Sequence, residues 1–94
     1  MAVRNFRKRY IVFQVEGKEL TRKEIIKLIN LRGREYRVRI TLTVFNGNKG
    51  IVLVSHLLKD RAIEAMNFEV NGIKVRTVKT SGTIKKAKKI MESL

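Results

Sequence analysis

The chain has no cysteine and one histidine in 94 residues. Disulfide staples, thiolate metal sites and cysteine nucleophiles are excluded, and a lone imidazole builds neither a His-based zinc site nor a His pair. Carboxylates are also scarce: Glu16, Glu19, Glu24, Glu35, Asp60, Glu64, Glu69 and Glu92 are the whole set. None of them pairs in the way a metal-dependent nuclease needs to neutralise a phosphoryl group. Glu24 is accounted for by a helix cap, Glu35 sits among arginines, and Asp60 and Glu64 fall on the solvent face of a helix. His56, beside Ser55 at a helix start, reads as a cap or surface residue. No catalytic residue and no protein-bound metal or cofactor is expected. Long apolar runs are missing too. Stretches such as Ile51 to Val54 fall far short of the ~20 residues that cross a bilayer, and the basic segment Met1 to Tyr10 has no signal-peptide core behind it. The expectation is a soluble cytoplasmic protein with no membrane partner.

What the sequence has is positive charge. Lys and Arg number 22 against 8 acids, a formal net charge of +14, while 44% hydrophobic residues keep the chain well above the disorder regime. At this length folding buries roughly 65% of the unfolded surface, enough for one core, so residues 1–94 are expected to form a single domain. The excess is concentrated. Met1 to Arg9 carries +4, Arg32 to Arg39 nets +3, and Lys74 to Lys89 carries +7 without one acid, which accounts for the whole +14. Three such blocks create a local field that attracts a polyanion and releases its counterions, so nucleic acid is the leading partner.

Arg9 to Val15, rich in β-branched and aromatic residues, predicts a strand ending at Gly17. Thr21 and Glu24 form a T-x-x-E capping box, with Leu20 and Ile25 as its hydrophobic staple. They open a helix whose stop is assigned to Gly33. Tyr36 to Phe45 alternates as a second strand, with Tyr36, Val38, Ile40, Leu42 and Val44 on one face. A glycine-rich hairpin from Asn46 to Gly50 leads into an apolar third strand, Ile51 to Val54. A second helix is expected from Ser55 or His56 to Asn67. Asn71-Gly72 makes a turn, Ile73 to Thr80 a fourth strand, and a terminal helix starts at Ile84.

The order β-α-β-β-α-β-α predicts an α+β fold: an RRM-like, ferredoxin-like α/β sandwich. Its four-stranded antiparallel sheet has strand order 4-1-3-2, with two helices on one face and an additional C-terminal helix. The second and fourth strands are then edges. Ile84, Ala87, Met91 and Leu94 lie within one arc of the last helix, which is expected to dock on the open sheet face with Lys85, Lys86 and Lys89 outward. The third strand lacks the aromatics with which an RNA-recognition motif stacks bases, and only Tyr10 or Phe13 is placed to do so. That favours recognition of backbone and shape. Phosphate contacts are expected at Arg7, Lys8 and Arg9, at Arg37 and Arg39, at Lys74 and Arg76, and at Lys85, Lys86, Lys88 and Lys89. Ser81, Gly82 and Thr83 are expected to add backbone N–H groups at a helix N-terminus.

Three motifs carry a family resemblance: Arg7-Lys8-Arg9-Tyr10-Ile11, then Phe45-Asn46-Gly47 with Gly50-Ile51-Val52, then Ser81-Gly82-Thr83-Ile84-Lys85. In this order the chain resembles the Pop-five family, small protein subunits of archaeal and eukaryotic ribonuclease P. The resemblance implies an RNA-binding accessory protein that supports a catalytic RNA in removing the 5′ leader from precursor tRNA. The RNA subunit with Mg²⁺ would perform the hydrolysis. Implied partners are ribonuclease P RNA, precursor tRNA, a larger barrel-shaped protein subunit, and a second copy within the complex. A ribosomal or general structured-RNA-binding protein, and a paralogous small subunit of the same complex, remain open on the residues alone.

Overall fold

The computed structural model describes residues 7–94. In chain order the elements are β1 (Lys8–Glu16), α1 (Arg22–Glu35), β2 (Thr41–Phe45), β3 (Lys49–Ser55), a 3-10 turn (His56–Leu58), α2 (Lys59–Met66), β4 (Phe68–Val70), β5 (Ile73–Ser81) and α3 (Ile84–Glu92). All strand pairs are antiparallel, in the order β2-β3-β1-β5-β4. The four long strands thus take the expected arrangement, and the sheet gains a fifth. The expected count of four overlooked β4. Asn71 and Gly72, with φ of 50° and 79°, supply the positive φ a two-residue hairpin turn requires and fold Phe68–Val70 back onto Ile73–Val75. Three residues are too short to show a period. β5 is therefore not an edge over its first residues.

Apolar clusters fill both faces of the sheet. Ile11, Phe13, Val15, Val52 and Val54 pack against Ile25 and Ile29 of α1 and Ala62, Ala65 and Met66 of α2. On the opposite face Val12 and Ile51 are closed by Ala87 and Met91 of α3, with Ile84 and Ile90 at the margin. The last helix docks on the otherwise open face, as its apolar arc predicts. Leu94 is an exception, 41% exposed beyond the helix end. Each large aliphatic side chain buried this way contributes roughly 1.5–3 kcal/mol.

Alternation along the second strand breaks in two places. Tyr36 to Ile40 are not strand at all, and an extra residue, Thr43, shifts the β2–β3 register between Leu42 and Val44. The bulge sends Val44 to the α3 side and leaves Leu42 and Phe45 on the α1 side. There the Phe45 ring lies 6.2 Å from that of Phe13 at an interplanar angle of 12°.

The capping box of α1 forms as expected: the Glu24 N–H donates to Thr21 Oγ1 at 3.2 Å, and the Thr21 N–H to Glu24 Oε1 at 2.9 Å. The Thr21 backbone N–H, and then its hydroxyl, hold the Glu24 carboxyl below its ordinary value of 4.5. A depressed folded-state pKa contributes stability that is fully present above the unfolded value and is lost as pH falls through the folded one. Wild type is expected to melt above Glu24→Gln at neutral pH, with the gap closing as the solution is acidified below 4.5. Thermal melts across that range check it; a gap that persists in acid contradicts it.

At the other end, Gly33 does not stop α1. The helix runs through it to Glu35. Tyr36 is the C-cap, and the Val38 N–H reaches Gly33 O at 2.9 Å while the Arg37 N–H reaches Arg34 O at 3.2 Å. This is a Schellman closure with Arg37, φ 55°, in the left-handed position that glycine ordinarily takes. The second helix begins later than expected, at Lys59, because His56–Leu58 forms the 3-10 turn, capped by Ser55 Oγ accepting from the Leu57 N–H.

Candidate nucleic-acid interface

Sheet register decides which charges meet. Lys8 pairs with Ser55, Thr41 with Leu53, and Tyr10 with Ser81. The starts of β1 and β2 and the ends of β3 and β5 therefore share one end of the sheet. The C-terminus of α1 and the N-terminus of α3 connect to it directly. Arg7, Lys8, Arg9, Arg37, Arg39, Ser81, Gly82, Thr83, Lys85 and Lys86 all converge there, from three separate stretches of chain. Lys88 and Lys89 continue the charge along the exposed side of α3.

Around the α3 N-terminus, Thr83 caps the helix by accepting from the Lys86 N–H at 3.3 Å, and Ser81 Oγ accepts from the Thr83 N–H at 3.2 Å. No acid lies in the first turn. Arg9 Nη1 stands 3.8 Å from where a Cβ on Gly82 would be, so the guanidinium flanks this turn. An electropositive helix terminus is thus reinforced by a fixed cation rather than neutralised by a carboxylate.

Two open grooves lie at the same end of the sheet, across β1 and β3 from this turn. One, of about 540 Å³, has Arg7, Lys8 and Arg39 on its rim; the other, of about 490 Å³, is bordered by Arg34, Arg37 and Arg39. Arg39 belongs to both, which makes the basic track continuous. The Arg7 carbonyl accepts from the His56 N–H at 3.0 Å, so the backbone entering β1 is tied to the 3-10 turn.

Lys74 and Arg76 do not join this set. They lie at the opposite end of the sheet, where Arg76 Nη2 meets Glu16 Oε2 at 2.9 Å and Lys74 stands across from both Glu16 and Glu69. Glu19, the α1 cap Glu24 and the α3 terminus with Glu92 are at that end as well. Among the described residues the chain is electrically polarised along its strands: at one end the cations outnumber the carboxylates Glu35, which pairs with Arg32, and Asp60, in the first turn of α2, while the other end has mixed charge. Arg32, part of the second basic block, is committed to the fold. Its guanidinium lies 5.0 Å from the Tyr36 and Phe68 ring centroids, and Nε donates to Ala65 O at 3.0 Å.

Arg34 and Thr41 at the grooves were not picked out from the sequence, although Arg34 lies in the Arg32 to Arg39 charge block that pointed there. Phe13 is fully buried and cannot stack a base, whereas Tyr10 is half-buried. Among the described residues, no three His, Asp or Glu side chains converge as metal ligands, and no helix is long and apolar enough to cross a membrane.

No protein-family model matches the chain, and no curated protein matches it in sequence. Its fold is that of a chain in the cryo-electron microscopy structure of yeast ribonuclease MRP, with TM-score 0.69 and 10% sequence identity over 98% of this chain and 94% of that one. At this identity the likeness establishes a shared architecture from end to end.

Proposed function

We propose that this chain is an RNA-binding protein subunit of a ribonuclease P or MRP type ribonucleoprotein, of the Pop-five kind. In this reading it supports a catalytic RNA in removing 5′ leaders from precursor tRNA. The observation that carries the proposal is the one-ended convergence of cations: Arg7, Lys8, Arg9, Arg37 and Arg39 with the α3 N-terminus and Lys85 and Lys86. Neither of the two ion pairs among the described residues involves any of them. The fold shared with a chain of yeast ribonuclease MRP supports it.

The chemistry asked of the polypeptide is electrostatic. Fixed cations replace diffuse counterions on closely approaching phosphates, which lowers the Mg²⁺ the RNA needs to hold its active shape. Phosphate contacts fix orientation, and the α3 N-terminus adds N–H donors beside Arg9. The exposed Leu31 and Leu57, at 56% and 78%, are apolar surface available to a barrel-shaped protein partner. Reconstitution tests the assignment. Omitting this chain from a mixture of the RNA and the remaining proteins is expected to depress precursor cleavage at low Mg²⁺ and to be rescued by added Mg²⁺. Unchanged cleavage at low Mg²⁺ rejects it.

A further inference from the structure

α3 crosses the sheet obliquely, from the end of β5 at Ser81 toward the start of β3, where Lys49 Nζ donates to Leu94 O at 3.4 Å. Its apolar side covers Val12 and Ile51. The end of β3 is left open. Leu53, in the middle of an otherwise buried strand, is only half-buried and belongs to neither apolar cluster. It pairs with Tyr10 on one side and Thr41 on the other. It is the accessible aliphatic side chain on its face of the 540 Å³ groove, beside the cationic rim, while Val54 and Leu58 close the groove from the α2 side of the sheet end.

A groove for a phosphate alone needs no such side chain. A partly exposed leucine beside three cations is a two-part surface, one part for an anion and one for a flat apolar body joined to it. The volume falls within the roughly 300–1,000 Å³ of clefts that enclose small molecules. Thr41 and Ser55 add hydroxyls at the side. Ser55 Oγ accepts from the Leu57 N–H, which leaves its own proton free to donate.

We propose that this groove takes one unstacked nucleotide of an RNA strand, its phosphate on Arg7, Lys8 and Arg39 and its base over Leu53. The inference rests on the RNA-binding reading and deepens it: the protein selects a bulged or looped nucleotide within a helix otherwise held by its backbone. A base that is already unpaired carries little extrusion cost, which is where the selectivity arises. An aliphatic contact with few polar groups beside it accepts any base, so the site distinguishes unpaired from paired rather than one sequence from another.

The test uses the full chain and three hairpin RNAs: a continuous helix, the same helix with a single-nucleotide bulge, and the bulged form with an abasic bulge. The bulged form is expected to bind about tenfold more tightly than the continuous one, and the abasic form to lose that preference. Leu53→Thr, which keeps strand propensity, is expected to bring the ratio close to one. The abasic arm probes the same contact with the protein unaltered. Equal, salt-sensitive binding of all three RNAs overturns the nucleotide site while leaving the phosphate track intact. A preference that survives in the abasic form overturns it as well, because backbone shape alone would then explain it. Failure to bind any of the three in a salt-sensitive way overturns the RNA-binding reading itself.

Discussion

Changing Arg7, Lys8 and Arg39 together to glutamine is expected to weaken binding to structured RNA by about a hundredfold at 0.15 M salt, each lost phosphate contact forfeiting about fivefold through counterion release. The log–log salt dependence should flatten at the same time, by roughly 0.7–0.9 per contact, or about 2–3 in all. The matched control is Lys74→Gln with Arg76→Gln. Arg76 is ion-paired with Glu16, and Lys74 stands across from Glu16 and Glu69 at the end of the sheet away from the convergent cations, so their neutralisation removes no phosphate contact. Its effect on the slope should stay below about one. Titrations from 0.05 to 0.3 M salt separate the two variants; equal losses at both ends of the sheet would contradict a polarised interface.

That contrast also marks how far the sequence could be read. The charge blocks locate cations along the chain, but an ion pair depends on which strands become neighbours. Glu16 and Arg76 are 60 positions apart in sequence and meet only because β1 and β5 are adjacent and antiparallel. Conversely, Arg9 and Gly82 come together through the same pairing, and their proximity strengthens the expected anion site at α3. The alternation of Arg37 and Arg39 with Val38 and Ile40 predicts an edge strand. They in fact occupy the irregular crossing from α1 to β2. Val38 and Ile40 are still buried there, because alternating burial needs only an extended chain against a core, not a paired neighbour.

The legible parts of the fold are those fixed by local chemistry. The capping box of α1, the apolar arc of α3 and the order of the four long strands follow from side-chain spacing and short connections. What was not legible depends on backbone packing. The bulge at Thr43 leaves no trace in hydrophobicity, yet it decides that Val44 and Phe45 go to opposite faces from those that strict alternation assigns. The partial exposure of Leu53 is equally silent. In sequence Leu53 looks like one more core residue of an apolar strand, and it is partly exposed only because α3 lies obliquely and leaves that corner uncovered.

The end of α1 gives the second large expected effect, and there propensity and packing point in opposite directions. Gly33→Ala gains up to about 1 kcal/mol of intrinsic helix propensity inside α1. The new Cβ would stand 2.7 Å from the Val38 carbonyl oxygen, an atom of the backbone that the Val38 N–H bond to Gly33 O holds in place. Relief requires the crossing segment to move. Overpacking of this kind costs roughly 1–3 kcal/mol and a weakened backbone hydrogen bond about 1 more, so packing wins. A net loss of about 2 kcal/mol corresponds to a fall in Tm of about 10 °C for a domain of this size. Arg37→Gly tests the same closure from the other side. Relieving a non-glycine residue of its left-handed φ should stabilise the fold by about 1 kcal/mol, while RNA affinity falls by the share of one cation. A residue that costs stability where glycine would fit, and carries charge at the cationic end, has its reason in the ligand rather than in the fold. An Arg37→Gly protein that is no more stable than wild type, or that binds RNA equally well, would show that reasoning to be wrong.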